Sequence, residues 1–256
     1  MKVTFLGTGT SQGVPTLTCN CDVCRSIDFR DKRLRTSLHI MTDDGLSVVL
    51  DTGPDFRQQM LREKIRHLDA VVFTHQHKDH TAGLDDIRGY YFAQELQPIP
   101  VYCTLPVLEQ LKLEYNYFFA EEKYPGVPSV DIHMIDRDTN FNIGDTTFNP
   151  IEVLHGKMRV LGFRIGNFTY ITDANKIEPD QMDKIRGTEI LVLNALHHEK
   201  HYSHFTLEEA LEIVAEIQPK QAYFTHISHS LGLHKDVEES LPDGVHLAYD
   251  GLQITI

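Results

Sequence analysis

One short segment limits what this 256-residue chain can fold into more than any other: positions 73–80, FTHQHKDH. It continues the apolar run 70–73, which has the pattern of a buried strand. His75 and His77 are two positions apart, so in an extended backbone both imidazoles point to one side and reach one ion. Asp79 and His80 lie past the next turn and reach a second ion nearby. This density of ligand-type side chains at a strand end predicts a metal site rather than a solvated polar loop.

Short apolar runs rich in Val, Ile and Phe recur along the chain, each bounded by Gly, Asp, Asn or Pro, as strands are. Helical patterns lie between some of them, which predicts the α/β class. At this length one domain over residues 1–256 is expected. The predicted strands are Val3–Leu6, Leu46–Leu50, Ala70–Thr74, Ile99–Cys103, Phe163–Thr172, Ile190–Leu193 and Ala222–Thr225.

The clearest helical pattern covers Thr206–Gln218, where Thr206 and Glu209 form a capping box and Pro219 ends the helix. A second helix is expected after Asp55, with Phe56, Met60 and Leu61 facing inward. Residues 90–113 are expected to be mostly helical, interrupted by a strand near residue 101. Residues 114–128 are aromatic, charged and Pro-containing, which fits a surface loop or a lid.

The net charge of −13 argues against a broad nucleic-acid surface, because an acidic protein repels polyanions at long range. A small phosphorylated substrate is compatible with this charge, since metal ions invert the local field. No run approaches the ~20 apolar residues of a membrane helix, and the N-terminus lacks the apolar stretch of a signal peptide. We therefore expect a cytoplasmic protein that does not enter a membrane.

The His-x-His-x-Asp-His pattern resembles the metal-binding motif of the metallo-β-lactamase superfamily, and three later residues fit the same order, each just after an apolar run. The resemblance implies an αββα four-layer sandwich with two metals, for which N and O donors suit Zn²⁺, Mn²⁺ or Fe. It also implies that Asp51 orients a metal-binding histidine, although a turn aspartate before Gly53 is an equal reading. The implied ligands are His75, His77 and His155 for one metal, Asp79, His80 and His226 for the other, and Asp173 as the bridge.

Three cysteines crowd into six residues, at Cys19, Cys21 and Cys24. Thiolates are strong Zn²⁺ ligands, but a closed structural site needs four ligands, and His229 is the best candidate for the fourth because it follows His226 so closely. Three reduced, inert thiols are the alternative. Cys103 lies in an apolar run and is expected in the core.

The cysteine motif, the late histidine and the opening segment 6–15, LGTGTSQGVP, resemble the PhnP-type phosphodiesterases, enzymes of phosphonate breakdown with the metallo-β-lactamase fold. The resemblance implies a homodimer with two active-site divalent metals (Mn or Zn) and one structural zinc. It implies hydrolysis of a small cyclic phosphate or nucleotide-like ester, and a catalytic set of His204, Asp79 and Asp173.

His204 would donate a proton as an imidazolium with a pKa near neutrality. The nearby His197, His198 and His201 leave this assignment open, and His204 also fits a polar residue flanking the helix. Three other functions stay open: a tRNA 3′-processing-type nuclease, a thioester hydrolase, and a non-catalytic metal-binding accessory protein of cofactor biosynthesis.

Overall fold

Two β-sheets carry most of the apolar residues, and the computed structural model describes all of residues 1–256. The first sheet has the order β15-β1-β2-β3-β4-β5-β6. Its strands run parallel from β3 to β6 and antiparallel from β15 to β3. Its members are β1 (Lys2–Gly7), β2 (Ser37–Met41), β3 (Ser47–Leu50), β4 (Ala70–Val72), β5 (Ile99–Cys103), β6 (Val130–Met134) and β15 (Gln253–Thr255).

The second sheet has the order β11-β8-β9-β10-β12-β13-β14, and β7 pairs with β8 beside this path. Its strands are parallel from β10 through β12 and β13 to β14, and the other pairs are antiparallel. Its members are β7 (Phe141–Ile143), β8 (Thr146–His155), β9 (Met158–Ile165), β10 (Phe168–Tyr170), β11 (Lys176–Ile177), β12 (Ile190–Asn194), β13 (Gln221–Thr225) and β14 (Val245–Leu247).

Eight helices cover the outer faces of the sheets or connect the strands. None of them has both the length and the apolar character that crossing a membrane requires. Their bounds are α1 (Asp22–Arg25), α2 (Phe56–Arg62), α3 (Lys78–Thr81), α4 (Arg88–Ala93), α5 (Leu105–Glu114), α6 (Pro179–Ile185), α7 (Leu207–Ile217) and α8 (His234–Ser240).

The core is divided by the alternation of side chains along the strands. In β3, Val48 and Leu50 pack into the space between the two sheets, whereas Val49 faces the other way, toward α2 and α5. The second sheet likewise packs one face on the first sheet and the other on α6 and α7. Because both faces of the central strands are covered, these strands are continuously apolar. The layers are therefore helix, sheet, sheet and helix, which confirms the predicted αββα sandwich.

Two sequence predictions are wrong in detail. The run 163–172 is not one strand, because it turns at Gly166 (φ +57°) and returns antiparallel as β10. Leu61 is 57% exposed, whereas Phe56 and Met60 are buried as predicted. The segment 114–128 is also less loop-like than expected, since Tyr115, Phe118 and Val127 pack into the core outside the first sheet.

Helix α7 begins with the predicted capping box. Thr206 Oγ1 accepts a hydrogen bond from Glu209 N at 3.1 Å, and Thr206 N donates to Glu209 Oε2 at 3.1 Å. We expect Thr206→Ala to lower the free energy of unfolding by about 1 kcal/mol, measured by urea titration, because the Glu209 amide loses its partner. Thr206→Ser keeps the hydroxyl and should retain most of the stability. Equal stability of the alanine and serine variants would contradict this role of the cap.

Candidate active site

The predicted site residues meet where strands from both sheets end. Asp51 and His226 directly follow β3 and β13, and His155 is the last residue of β8. A backbone hydrogen bond from Leu161 N to Thr74 O, 3.1 Å long, joins the second sheet to the loop after β4. The chain therefore brings together residues that are up to 175 positions apart in sequence, as Asp51 and His226 are.

The first group of donors consists of His75, His77 and His155, whose nearest ligand atoms all lie within 4.8 Å of one another. The rings of His75 and His77 are 4.8 Å apart, and those of His77 and His155 are 5.0 Å apart. His155 Nδ1 lies 2.8 Å from Ser203 O, and this contact turns Nε2 toward the other two rings. The geometry expected from the two-residue spacing is therefore present.

The second group consists of Asp79, His80, Asp173 and His226, also within 4.8 Å of one another. Asp173 Oδ2 lies 3.2 Å from His80 Nε2 and 3.2 Å from His226 Nδ1. Asp79 Oδ2 lies 3.3 Å from His80 Nε2. Asp173 also belongs to a third set of donors with His155 and His204, so it faces both groups.

Asp51 fixes the orientation of two histidines from behind the site. Its Oδ2 lies 2.7 Å from His80 Nδ1 and accepts a hydrogen bond from Thr74 Oγ1 at 2.8 Å. Thr74 Oγ1 lies 2.9 Å from His75 Nδ1 and is free to accept from it, because its own proton goes to Asp51. Asp51 therefore orients the histidines and is not merely a turn residue. Its carboxylate is fully buried, and its contacts leave Nε2 of His75 and of His80 facing inward.

Three of the residues at the site adopt the left-handed backbone conformation that non-glycine residues rarely take: Asp51 (φ +64°), Asp173 (φ +54°) and His226 (φ +55°). Each lies in the turn by which the chain leaves a strand. Such strain persists only where the surrounding packing fixes the backbone, and it is concentrated at functional sites.

Buried nitrogens without hydrogen-bond partners show that this arrangement fits divalent metals. Nε2 of His75 and His80 and Nδ1 of His204 and His226 are buried with no hydrogen-bond partner in the protein. An unsatisfied buried polar atom is costly, and four of them converging in one place need an explanation. Coordination by a cation satisfies imidazole nitrogens and carboxylate oxygens together.

The electrostatics lead to the same conclusion. Burial opposes a charged His80, yet Asp173, Asp79 and Asp51 raise its pKa well above the ordinary value. Burial likewise opposes ionisation of Asp173, but His226 and His80 hold its pKa well below the ordinary value. The Asp173 carboxylate therefore stays charged and needs positive charge beside it, which a divalent cation supplies.

His204 lies beside both groups. Its ring is 4.6 Å from the ring of His155 and 4.7 Å from that of His226, and its Nδ1 lies 3.9 Å from Asp173 Oδ1. Burial lowers the pKa of His204 to about 2. The side chain is 8% exposed, and this burial opposes the imidazolium form predicted for neutral pH.

The predicted cysteine cluster also assembles. Ligand atoms of Cys19, Cys21, Cys24 and His229 lie within 4.8 Å of one another, and His229 Nδ1 is 3.4 Å from Cys19 Sγ and 3.3 Å from Cys21 Sγ. The contact with His229, followed by the Cys24 amide, lowers the pKa of the Cys21 thiol to about 6, which favours the metal-binding thiolate. Cys103 is buried in the core, as predicted.

Sequence reasoning missed two polar residues that support the site. Asn194 ends the buried strand β12, and its side chain accepts from Ala174 N at 2.8 Å and donates to Ala174 O at 3.0 Å, which fixes the turn after Asp173. Thr10 Oγ1 lies 3.2 Å from His226 Nε2. Asn194 was detectable, because it follows four apolar residues at a strand end, as Asp51 does.

An αββα sandwich with imidazoles and carboxylates at its strand ends is the architecture of metallo-hydrolases, and the comparisons agree. A family model described as a beta-lactamase superfamily domain matches residues 47–227. The crystal structure of a diphosphatase from the PhnP family is 39% identical, has a TM-score of 0.92, and is matched over 100% of this chain and 97% of that chain. This chain therefore belongs to the β-lactamase superfamily and, within it, to the PhnP family.

Two further relatives are similar over only part of their length or at low sequence identity. An octanoyltransferase of Porphyromonas gingivalis is 39% identical over 100% of this chain, but the chain spans about half (52%) of the length of that relative. Zn²⁺-bound PqqB of Methylobacterium extorquens is 21% identical, with a TM-score of 0.78 over 100% of both chains. At that identity, the likeness to PqqB shows the fold alone.

The role of Asp51 can be tested by Asp51→Asn, which removes the charge that orients His80 and, through Thr74, His75. We expect divalent metal affinity to fall about 10- to 100-fold, because the histidines lose their fixed orientation. Chelator-competition titration measures this affinity. Asp69→Asn is a matched control: Asp69 accepts a 2.7 Å hydrogen bond from Ser47 N and belongs to none of the donor groups. Unchanged metal affinity in Asp51→Asn would refute the orienting role.

Proposed function

We propose that this chain is a two-metal phosphoric ester hydrolase that acts on a small phosphorylated substrate, either a cyclic phosphate or a nucleotide-like ester. The observation that carries the proposal is the convergence of imidazole and carboxylate donors, four of whose buried ring nitrogens have no hydrogen-bond partner in the protein. The diphosphatase activity of the similar PhnP-family enzyme supports chemistry at phosphorus.

In this proposal His75, His77 and His155 hold one divalent metal, and Asp79, His80 and His226 hold the other. Asp173 is shared, because it faces both groups. When bound, such cations supply positive charge for a phosphoryl group and activate water as a nucleophile. The donors suit Zn²⁺, Mn²⁺ or Fe.

The protein's own groups then position the substrate. Asp173 keeps its charge and fixes the imidazoles around it, as the 3.2 Å contacts to His80 and His226 require. His204 remains neutral and donates a hydrogen bond from an imidazole N–H to a phosphoryl oxygen, where charge develops during reaction. This role replaces proton donation by an imidazolium, because burial disfavours the charged form of His204.

We further propose that the cysteine cluster holds a structural zinc ion. Three thiolates and one imidazole complete a closed tetrahedral set, which leaves no position for substrate. The lowered pKa of Cys21 and the approach of His229 to two sulfurs support this assignment.

Rival functions are weaker on specific grounds. The net charge of −13 opposes the binding of an RNA polymer, so a tRNA-processing role is disfavoured. A complete donor set argues against a non-catalytic accessory role. The chain spans only about half (52%) of the Porphyromonas gingivalis octanoyltransferase, so the acyl transfer for which that relative is named is not tied to the matched half. A thioester hydrolase remains the second candidate, since that relative is named for acyl transfer.

The hydrolase proposal predicts release of nitrophenol from bis(p-nitrophenyl) phosphate in the presence of Mn²⁺ or Zn²⁺. Asp173→Ala should lower turnover by at least about 100-fold, because the charge shared by both donor groups is lost. Asp183→Ala, at a carboxylate that is 75% exposed on α6, should keep full activity. An octanoyl thioester assayed in parallel tests the second candidate. Full activity in Asp173→Ala, or hydrolysis of the thioester alone, would defeat the phosphodiesterase proposal.

The structural zinc predicts that Cys21→Ala loses about one zinc per chain and melts at a lower temperature. The matched control is Cys103→Ala, which also removes a sulfur but from an apolar core, so it should lose stability without losing zinc. Zinc content is measured on purified protein by elemental analysis. A Cys21→Ala variant with the zinc content of the unmodified chain would show that the three cysteines are reduced, inert thiols.

A further inference from the structure

A series of aromatic rings leads from the buried site to the surface. The ring of His201 lies 5.2 Å from that of His204, and the ring of Tyr202 lies 4.8 Å from that of His201 at an interplanar angle of 38°. His204 is buried, His201 is half-buried, and Tyr202 is 80% exposed. The exposed rings of Phe29 and Phe92 pair instead with Tyr249 and Tyr91, which belong to none of the donor groups.

Tyr202 is held in place by residues next to the candidate metal ligand His155. Its ring packs beside Gly156, the residue after His155, where an added side chain would come within 3.5 Å of Tyr202 Cδ2. The next residue, Ser203, accepts a hydrogen bond from His155 Nδ1 through its backbone oxygen at 2.8 Å. Its amide donates to His201 Nδ1 at 3.4 Å. The segment 201–204 is therefore fastened to a donor of the candidate metal site, and Tyr202 is presented to solvent at a fixed place.

We propose that Tyr202, supported by His201, is a stacking platform for the base of a nucleotide-type substrate. The proposal rests on the proposed function, because it takes the His204 end as the position of the phosphoryl group. The ring-to-ring steps of 5.2 Å and 4.8 Å keep Tyr202 near His204, so one ligand that carries a phosphate and a base joined by a pentose can contact both. Every nucleobase has a π-face, so one aromatic ring selects nucleotides as a class without selecting a particular base.

Paired inhibitors that differ only by the base test this platform in the metal-loaded protein. AMP and ribose 5-phosphate carry the same phosphate and pentose, and both are measured as inhibitors of bis(p-nitrophenyl) phosphate hydrolysis. We expect AMP to inhibit at an about tenfold lower concentration, within the range of one base–aromatic stack. In Tyr202→Ala the two inhibitors should become equal, whereas Tyr202→Phe should keep the difference. Phe29→Ala, at an aromatic residue that is 65% exposed, is the matched control and should also keep it.

A direct binding measurement separates the platform from the hydrolase proposal. The chain contains no tryptophan, so the fluorescence of 2-aminopurine riboside 5′-phosphate can be followed without interference. Stacking should quench this fluorescence with the unmodified chain and with Tyr202→Phe, but not with Tyr202→Ala. Tyr202-dependent quenching without phosphodiester turnover would support the platform and refute the hydrolase. Equal inhibition by AMP and ribose 5-phosphate in the unmodified chain, or an AMP preference that survives in Tyr202→Ala, would overturn the platform.

Discussion

Asp173 keeps a charged carboxylate at a position that is 2% exposed, and the site is arranged around what offsets that charge. Removing a carboxylate from water is expensive unless cationic or hydrogen-bonding partners surround it. His80 in α3 and His226 after β13 each place a ring nitrogen 3.2 Å from its Oδ2. The positive charge can be a proton on His80 or a bound cation, but the carboxylate cannot remain there without one of them.

The need to keep positive charge beside Asp173 also explains why the groups that orient the histidines contact the ring nitrogens that face away from the site. Asp51 and Thr74 occupy the outer nitrogens of His80 and His75, and Ser203 occupies that of His155, so the inner nitrogens face the donor groups. The left-handed turns at Asp51, Asp173 and His226 redirect the chain as it leaves three strands. Strands that are packed on both faces hold the backbone of such turns rigidly. A flexible loop would relax the backbone strain and would no longer hold the donor side chains in place.

A feature of the fold or of the site is predictable from the sequence when the residues that define it lie close together in the chain. The loop 73–80 was readable because its donors are close in sequence, and β5 and α7 followed from local patterns and capping. The position of His155, Asp173 and His226 beside the loop 73–80 depends on pairing between distant strands, so it was predicted only from a family resemblance. The burial of His204, which opposes its charged form, is a tertiary property that the sequence does not reveal. Leu61 was placed wrongly because the seven residues of α2 make fewer than two full turns, too few to define an inward face.

The peptide 226–229 connects the two clusters and gives the cysteine loop a role beyond its own stability. His226 belongs to the candidate active site, and His229, three residues later, contacts the sulfurs of Cys19 and Cys21. Between them, Ile227 donates to Thr8 O at 2.9 Å and accepts from Thr10 N at 3.1 Å, so the N-terminal segment is hydrogen-bonded to the backbone beside His226. Thr10 also reaches the His226 ring at 3.2 Å. Any displacement of the cysteine loop must therefore move the segment that positions His226, and an ion held by the cysteines would fix both together.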